Sequence, residues 1–311
     1  MQMNEKETAR ILKGVGGLYT VEILDGKNVG ETAECRAKGG FRKDGIKPLP
    51  GDFVEFERQK DGKGFITHIC ERKNSLIRPA SANIDLIILV IASAKPSTDF
   101  FLTDKMLAVA SHNGIDVLIV VNKSDLGNAN AEKLCGVYRL AGYDALSFSA
   151  VSEEADGFKE KREYIRKSAA GKTCFFAGAS GVGKSSTINA AFPEIGTLLE
   201  TGDLSEKIER GKHTTRKTEL YKLSDGTYIA DTPGFSMLEI AQYNMIPKNM
   251  LVEAFPDIEK YAAECKYSDC THVCEEGCAV IAAVRQGKIA ESRHESYRSL
   301  YEELKNKNEW D

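Results

Sequence analysis

A chain of 311 residues is longer than one typical domain, and its composition, 42% hydrophobic and 28% charged, excludes general disorder and a fibrous class. The formal net charge of −4 argues against coating nucleic acid through bulk electrostatics, although residues 1–80 hold 15 Lys and Arg against 12 Asp and Glu. The first thirteen residues are polar and the longest largely apolar run, 84–94, is too short to span a bilayer, so neither export nor a membrane anchor is expected and a cytoplasmic location is.

From residue 16 to about 72, short β-type runs such as 18–24 and 52–56 are broken by turns at Asp25-Gly26, Gly39-Gly40 and Asp61-Gly62. This pattern predicts a small all-β barrel or sandwich. Between strands, Arg36, Lys38, Arg42, Lys43 and Lys47 surround Phe41. By itself that segment reads as a solvated turn; the sharper alternative is an RNA-touching loop of an OB-type barrel, with bases stacked on the aromatic ring.

After Pro79 the texture changes to β-branched strands separated by helical stretches, which predicts a parallel sheet covered by helices. Strands are expected at 86–91, 117–121, 145–149 and 174–177, and helices at 99–113, 129–141, 157–169 and 184–191. Strand 117–121 ends in Asn122, Lys123, Ser124 and Asp125, a guanine-reading signature. The Asp125 carboxylate can accept from N1-H and the N2 amino group of guanine, donors that adenine lacks, so ATP would leave it unpaired. Asn122 is expected to brace the loop and Lys123 to lie along the base. A helix N-cap at Ser124 or Asp125 is the plainer alternative, outweighed by the place of the motif after a sheet strand. Ser149 and Ala150, at the end of the next strand, are where a backbone contact to the guanine O6 is expected.

Strand 174–177 runs into Gly178, Ala179, Ser180, Gly181, Val182, Gly183, Lys184, Ser185 and Ser186 and then a helix, a phosphate loop in its strand-to-helix context. The glycines let backbone wrap the phosphates, the helix N-terminus faces their charge, Lys184 neutralises the β and γ groups, and Ser185 offers an oxygen to Mg²⁺. Gly211, Lys212, His213, Thr214, Thr215 and Arg216 follow in a polar stretch where one threonine, Thr215 in preference to Thr214, is expected to ligate Mg²⁺. Runs 219–223 and 227–230 flank a turn at Ser224, Asp225 and Gly226 and predict a hairpin. It leads to Asp231, Thr232, Pro233 and Gly234, with Asp231 placed for Mg²⁺ and the Gly234 amide for the γ-phosphate. Phe235 stands where a water-orienting glutamine would be, and His213 is the candidate to take that task; an exposed loop histidine is the equal alternative.

Beyond residue 244 the chain reads as helical, interrupted by Cys265, Cys270, His272 and Cys278, three thiolates and an imidazole suited to a closed tetrahedral Zn²⁺ site of structural type. Cys274 is an extra candidate that could replace His272. An amphipathic stretch at 296–305 ends the pattern.

The guanine signature precedes the phosphate loop, the reverse of the Ras-like order, as in a circular permutation. That order, together with residues 211–215, Asp231 to Gly234 and the Cys265, Cys270, His272, Cys278 cluster, resembles the RsgA (YjeQ) family of circularly permuted GTPases of small ribosomal subunit biogenesis. The resemblance implies a multidomain α/β protein with an N-terminal OB-fold barrel at 1–75, a central permuted P-loop GTPase domain at 76–244 and a C-terminal helical zinc domain at 245–311. It further implies GTP hydrolysis to GDP and phosphate stimulated by the 30S subunit, binding to 16S rRNA as a late assembly checkpoint, one structural Zn²⁺, and Mg²⁺ with GTP. A monomer without membrane contact is the expected state.

Overall fold

The computed structural model describes residues 6–39, 41, 46–59, 63–77, 79–154, 157–196, 218–231 and 246–305, with Asp231 described by its backbone alone. Strands β1 (Lys6–Val15), β2 (Leu18–Ile23), β3 (Thr32–Ala37), β4 (Phe53–Arg58) and β5 (Gly64–Ile69) pair in the order β1-β2-β3-β5-β4, and β4 returns to β1. All pairings are antiparallel except β3 with β5, so the expected OB-type barrel is present and closed. Alternate residues on each strand face inward, and Ile11, Val21, Ile23, Val54, Phe56 and Ile66 fill the interior with no exposed surface. Phe41 packs partly buried against this core.

The chain leaves the barrel through a two-rung ladder, β6 (Ser75–Leu76) with β7 (Ser81–Ala82). Asn74 stitches this turn from both sides, donating to Ile84 O and accepting from Ile84 N, each at 2.9 Å.

Next come β8 (Leu86–Ala92), α1 (Phe100–His112), β9 (Asp116–Asn122), α2 (Asn128–Leu140), β10 (Asp144–Ser147) and α3 (Phe158–Ala169). Strand β8 is buried at all seven positions, as a continuous apolar run in a parallel sheet should be. It pairs in parallel with β9, and β9 with β10. Asp99 starts α1 by accepting from Leu102 N at 2.9 Å.

The remaining elements are β11 (Thr173–Ala177), α4 (Lys184–Ala191), β12 (Glu219–Lys222), β13 (Tyr228–Asp231), α5 (Pro256–Ala262), α6 (Ala279–Arg285) and α7 (Glu291–Lys305). Strand β13 pairs antiparallel with β12 and parallel with β11, as the predicted hairpin requires. Helix α7 begins five residues before the stretch expected at 296–305, and its first turn carries Arg293, fully buried between Asp104 and Asp257.

Two units are distinguishable, Met1–Asp85 with Ala169–Phe175 and Thr197–Phe235, and Leu86–Ser168 with Phe176–Gly196 and Ser236–Asp311. In the first, the barrel is continuous with the hairpin, since β1 pairs with β12 at Lys13 and Glu219. No helix among the described residues is long and apolar enough to cross a membrane.

Candidate nucleotide site and metal cluster

The phosphate loop lies between the end of β11 and the start of α4, at residues 178–183. Two of its glycines are required by close approach: a Cβ at Gly178 would sit 2.4 Å from Val90 O, and one at Gly183, where φ is +94°, 2.2 Å from Nδ2 of Asn122. The Lys184 side chain folds over the loop and donates to the carbonyls of Gly178 at 2.8 Å and Ala179 at 3.2 Å. Burial lowers its pKa, and no carboxylate among the described residues is paired with it. This ammonium is therefore held where an anion would complete its coordination, with the first-turn amides of α4 beside it. Ser185 and Ser186 sit in that first turn.

Asn122, the last residue of β9 and 3% exposed, ties the loops together. Its Nδ2 donates to Val182 O at 2.9 Å and its Oδ1 accepts from Ala150 N at 3.1 Å. Lys123 adopts a left-handed backbone, φ +64°, and its Nζ donates to Lys95 O at 2.6 Å. Asp125 Oδ1 accepts from Ser149 Oγ at 2.7 Å, so Ser149 reaches the Asp125 carboxylate through its side chain. Strand β10 ends at Ser147, two residues earlier than expected: Phe148 N still donates to Val121 O, but Lys123 turns into a left-handed conformation and Phe148 O accepts instead from Ser124 N. Residues 148–150 thus curl onto the 122–125 loop. Ser93, missed from the sequence, donates from Oγ to Lys123 O at 2.7 Å, and Asn130 holds Ser93 O at 2.6 Å. The available signal was position alone, since Ser93 directly follows a buried parallel strand.

Gly211, Lys212, His213, Thr214, Thr215 and Arg216 lie outside the described residues, as do Thr232, Pro233, Gly234, Phe235 and the side chain of Asp231.

The ligand atoms of Cys265, Cys270, His272 and Cys278 all lie within 4.8 Å of one another. Sγ of Cys265 is 3.8 Å from Sγ of Cys278 and 3.4 Å from Nδ1 of His272, which is 3.7 Å from Sγ of Cys278. Tetrahedral bonds of about 2.3 Å to sulfur and about 2.0 Å to nitrogen space the ligands about 3.8 and 3.5 Å apart, so the donor set fits zinc. Ala279 N approaches Cys265 Sγ at 3.3 Å, as an outer-shell donor to a thiolate would. Cys274 is exposed and stands apart from the four.

A family model described as RsgA GTPase matches residues 69–241, and one described as RsgA N-terminal domain matches residues 8–66. The chain belongs to the RsgA GTPase family. Membership makes it a GTP-hydrolysing enzyme, with the hydrogen-bonded loops around Asn122 and Lys184 in the family's GTPase region. A small ribosomal subunit biogenesis GTPase RsgA of Agathobacter rectalis is 41% identical over 312 residues, covering 97% of this chain and 100% of that protein. The protein of that name from Caldanaerobacter subterraneus is 43% identical over 304 residues, covering 97% of each. Among solved structures, YjeQ from Thermotoga maritima aligns with a TM-score of 0.78 at 32% identity, covering 98% of this chain and 100% of that one. YloQ, described as a circularly permuted GTPase, aligns at 0.75 and 32% identity, covering 98% and 96%. The family fold carries the permutation read from the motif order, an OB-like barrel first and a cysteine cluster last.

Proposed function

We propose that this GTPase acts in late maturation of the 30S ribosomal subunit, binding 16S rRNA and hydrolysing GTP to GDP and phosphate as an assembly checkpoint. The observation that carries the reading is the identity of 41% and 43% to proteins named for small ribosomal subunit biogenesis, over nearly the whole chain. The protein works as a cytoplasmic monomer with three functional segments, a barrel at 1–75, the GTPase domain at 76–244 and the zinc domain at 245–311.

Guanine is selected by Asp125, whose carboxylate accepts from N1-H and N2, with Lys123 along the base, Asn122 bracing the loops and the segment Ser149 to Ala150 closing on O6. Gly178, Ala179, Ser180, Gly181, Val182 and Gly183 wrap the phosphates, Lys184 neutralises them, and Ser185 and Ser186 begin the helix that faces them. Ser185, Thr215 and Asp231 are the residues that would hold the magnesium that accompanies GTP, which would neutralise charge on the phosphates. Gly234 donates its amide to the γ-phosphate, and His213 orients the attacking water. Cys265, Cys270, His272 and Cys278 are the residues that would hold one zinc, in a structural role, since four protein donors complete a tetrahedral set.

The test is GTP turnover by the purified protein alone, with small subunits and with large subunits, using Lys184→Ala as the blank. Stimulation by the small subunit alone is the expected result. Tight GTP binding with no stimulation by either subunit would remove the ribosomal assignment and leave the GTPase.

A further inference from the structure

Arg10 of the barrel is a charged side chain buried where the barrel meets the hairpin, 6% exposed. Its guanidinium lies 4.2 Å from the ring centroid of Tyr228 and 5.0 Å from that of Phe53, and it donates to the Thr173 hydroxyl. Beside it Glu22, 2% exposed, accepts from Tyr228 Oη at 2.8 Å and from the Lys222 ammonium. Burying such groups is weak evidence for added stability, because apolar residues of similar volume fill such sites at equal or lower cost. Fixing a register is the better-attested use of a buried charge.

The register concerned is specific. Thr173 and Tyr228 are partners in the parallel pairing of β11 with β13, and Arg10 touches both. Strand β11 leads into the phosphate loop at Gly178, and β13 ends at Asp231. Farther along, Lys13 of the barrel pairs with Glu219, which pairs with Asp231, and Lys13 Nζ meets Glu219 Oε1 at 3.0 Å. One residue of slip moves a strand by about 3.3 Å and turns its side chains to the opposite face, which a metal-holding carboxylate would not survive.

We propose that Arg10 and the Glu22–Tyr228 pair are positioning residues for GTP hydrolysis, through which the barrel clamps the register of β13, the strand that ends at Asp231, against β11. The inference rests on the reading of Asp231 as the carboxylate that holds Mg²⁺. The guanine loop and the phosphate loop belong to Leu86–Ser168 and Phe176–Gly196, not to the unit that contains Arg10 and Tyr228, so GDP binding and the Mg²⁺ requirement are separate readouts.

The experiment uses full-length Arg10→Met, Arg10→Lys and Tyr228→Phe, with Asp231→Asn as reference. For each, kcat, KM for GTP, the Mg²⁺ concentration for half-maximal turnover, GDP affinity in EDTA and the melting temperature are measured. Arg10→Met and Tyr228→Phe are expected to lower kcat by roughly tenfold, equivalent to about 1.4 kcal/mol of barrier, and to raise the Mg²⁺ requirement severalfold. GDP affinity should hold within twofold, and Arg10→Lys should recover part of the loss. A structural role alone would lower the melting temperature without moving the Mg²⁺ dependence; that result, with Asp231→Asn still impaired, overturns the clamp. An Asp231→Asn protein with unchanged Mg²⁺ dependence overturns the underlying reading of that carboxylate, and the proposal with it. Should Arg10→Met not fold, Tyr228→Phe, which removes one hydroxyl and keeps the ring, carries the test.

Discussion

At Gly183 a methyl group would meet Nδ2 of Asn122 at 2.2 Å in a backbone conformation already unfavourable for a side chain, so Gly183→Ala must displace either the phosphate loop or Asn122. Loss of measurable GDP binding by titration with a fluescent-labelled nucleotide is the expected outcome, with the protein still folded by circular dichroism. Asn122→Ala is a milder test of the same junction, because it deletes two hydrogen bonds and leaves the backbone path open. At about 1 kcal/mol per bond, GDP should bind roughly 10- to 30-fold more weakly. The brace role of Asn122 was legible in the sequence because the motif has a fixed partner in the phosphate loop. The side-chain bond from Ser149 to Asp125 and the support of Lys123 by Ser93 were not, since a lone serine after a strand carries no periodic or compositional signal.

The Cys265, Cys270, His272 and Cys278 cluster shows how an element can be specified by chemistry that its isolated residues disfavour. Burial pushes the Cys270 thiol up to about 12 and raises that of Cys278, while burial lowers the His272 pKa and keeps the imidazole neutral. In metal-free protein at pH 7 both thiols are therefore protonated, and zinc uptake should release at least two protons, seen with a pH-indicator dye. Metal affinity should accordingly fall as the pH is lowered. Cys274→Ser should retain about one zinc per chain by elemental analysis, and Cys265→Ser should lose it, since four ligands complete a structural site. Nearby, Arg293 joins α7 to α5 and α1 through Asp257 at 2.7 Å and Asp104 at 2.9 Å, all three side chains buried. Arg293→Ala would strand two carboxylates, and a loss of about 3–5 kcal/mol in urea unfolding is expected. Parallel strands and helices of the α/β portion were readable from apolar runs and their spacing, but β1 was not. Its consecutive buried residues Ala9, Arg10 and Ile11 break the alternation that marks a half-buried strand, and Arg10 is inside for a polar reason that composition reads as surface.

Sequence order placed three segments along the chain, yet the first body contains pieces of two of them, because β1 of the barrel supplies a neighbour to β12. The boundary at 75/76 also divides the β6–β7 ladder, where Ser75 pairs with Ala82 and Leu76 with Ser81. A fragment of residues 76–311 keeps Asn122, Asp125, Ser149 and Lys184, so it should still bind GDP. Without β1, however, β12 becomes an unpaired edge, a template for association between chains. Removal of Arg10 and Glu22 also uncovers Thr173 and Tyr228, polar groups that now have partners. The fragment is therefore expected to self-associate with rising concentration in sedimentation experiments, to melt below the full chain, and to turn over GTP at least tenfold more slowly at saturating nucleotide. A monomeric fragment with the turnover of the intact enzyme would mean that the barrel is an appended binding module and that the GTPase sheet is complete without it.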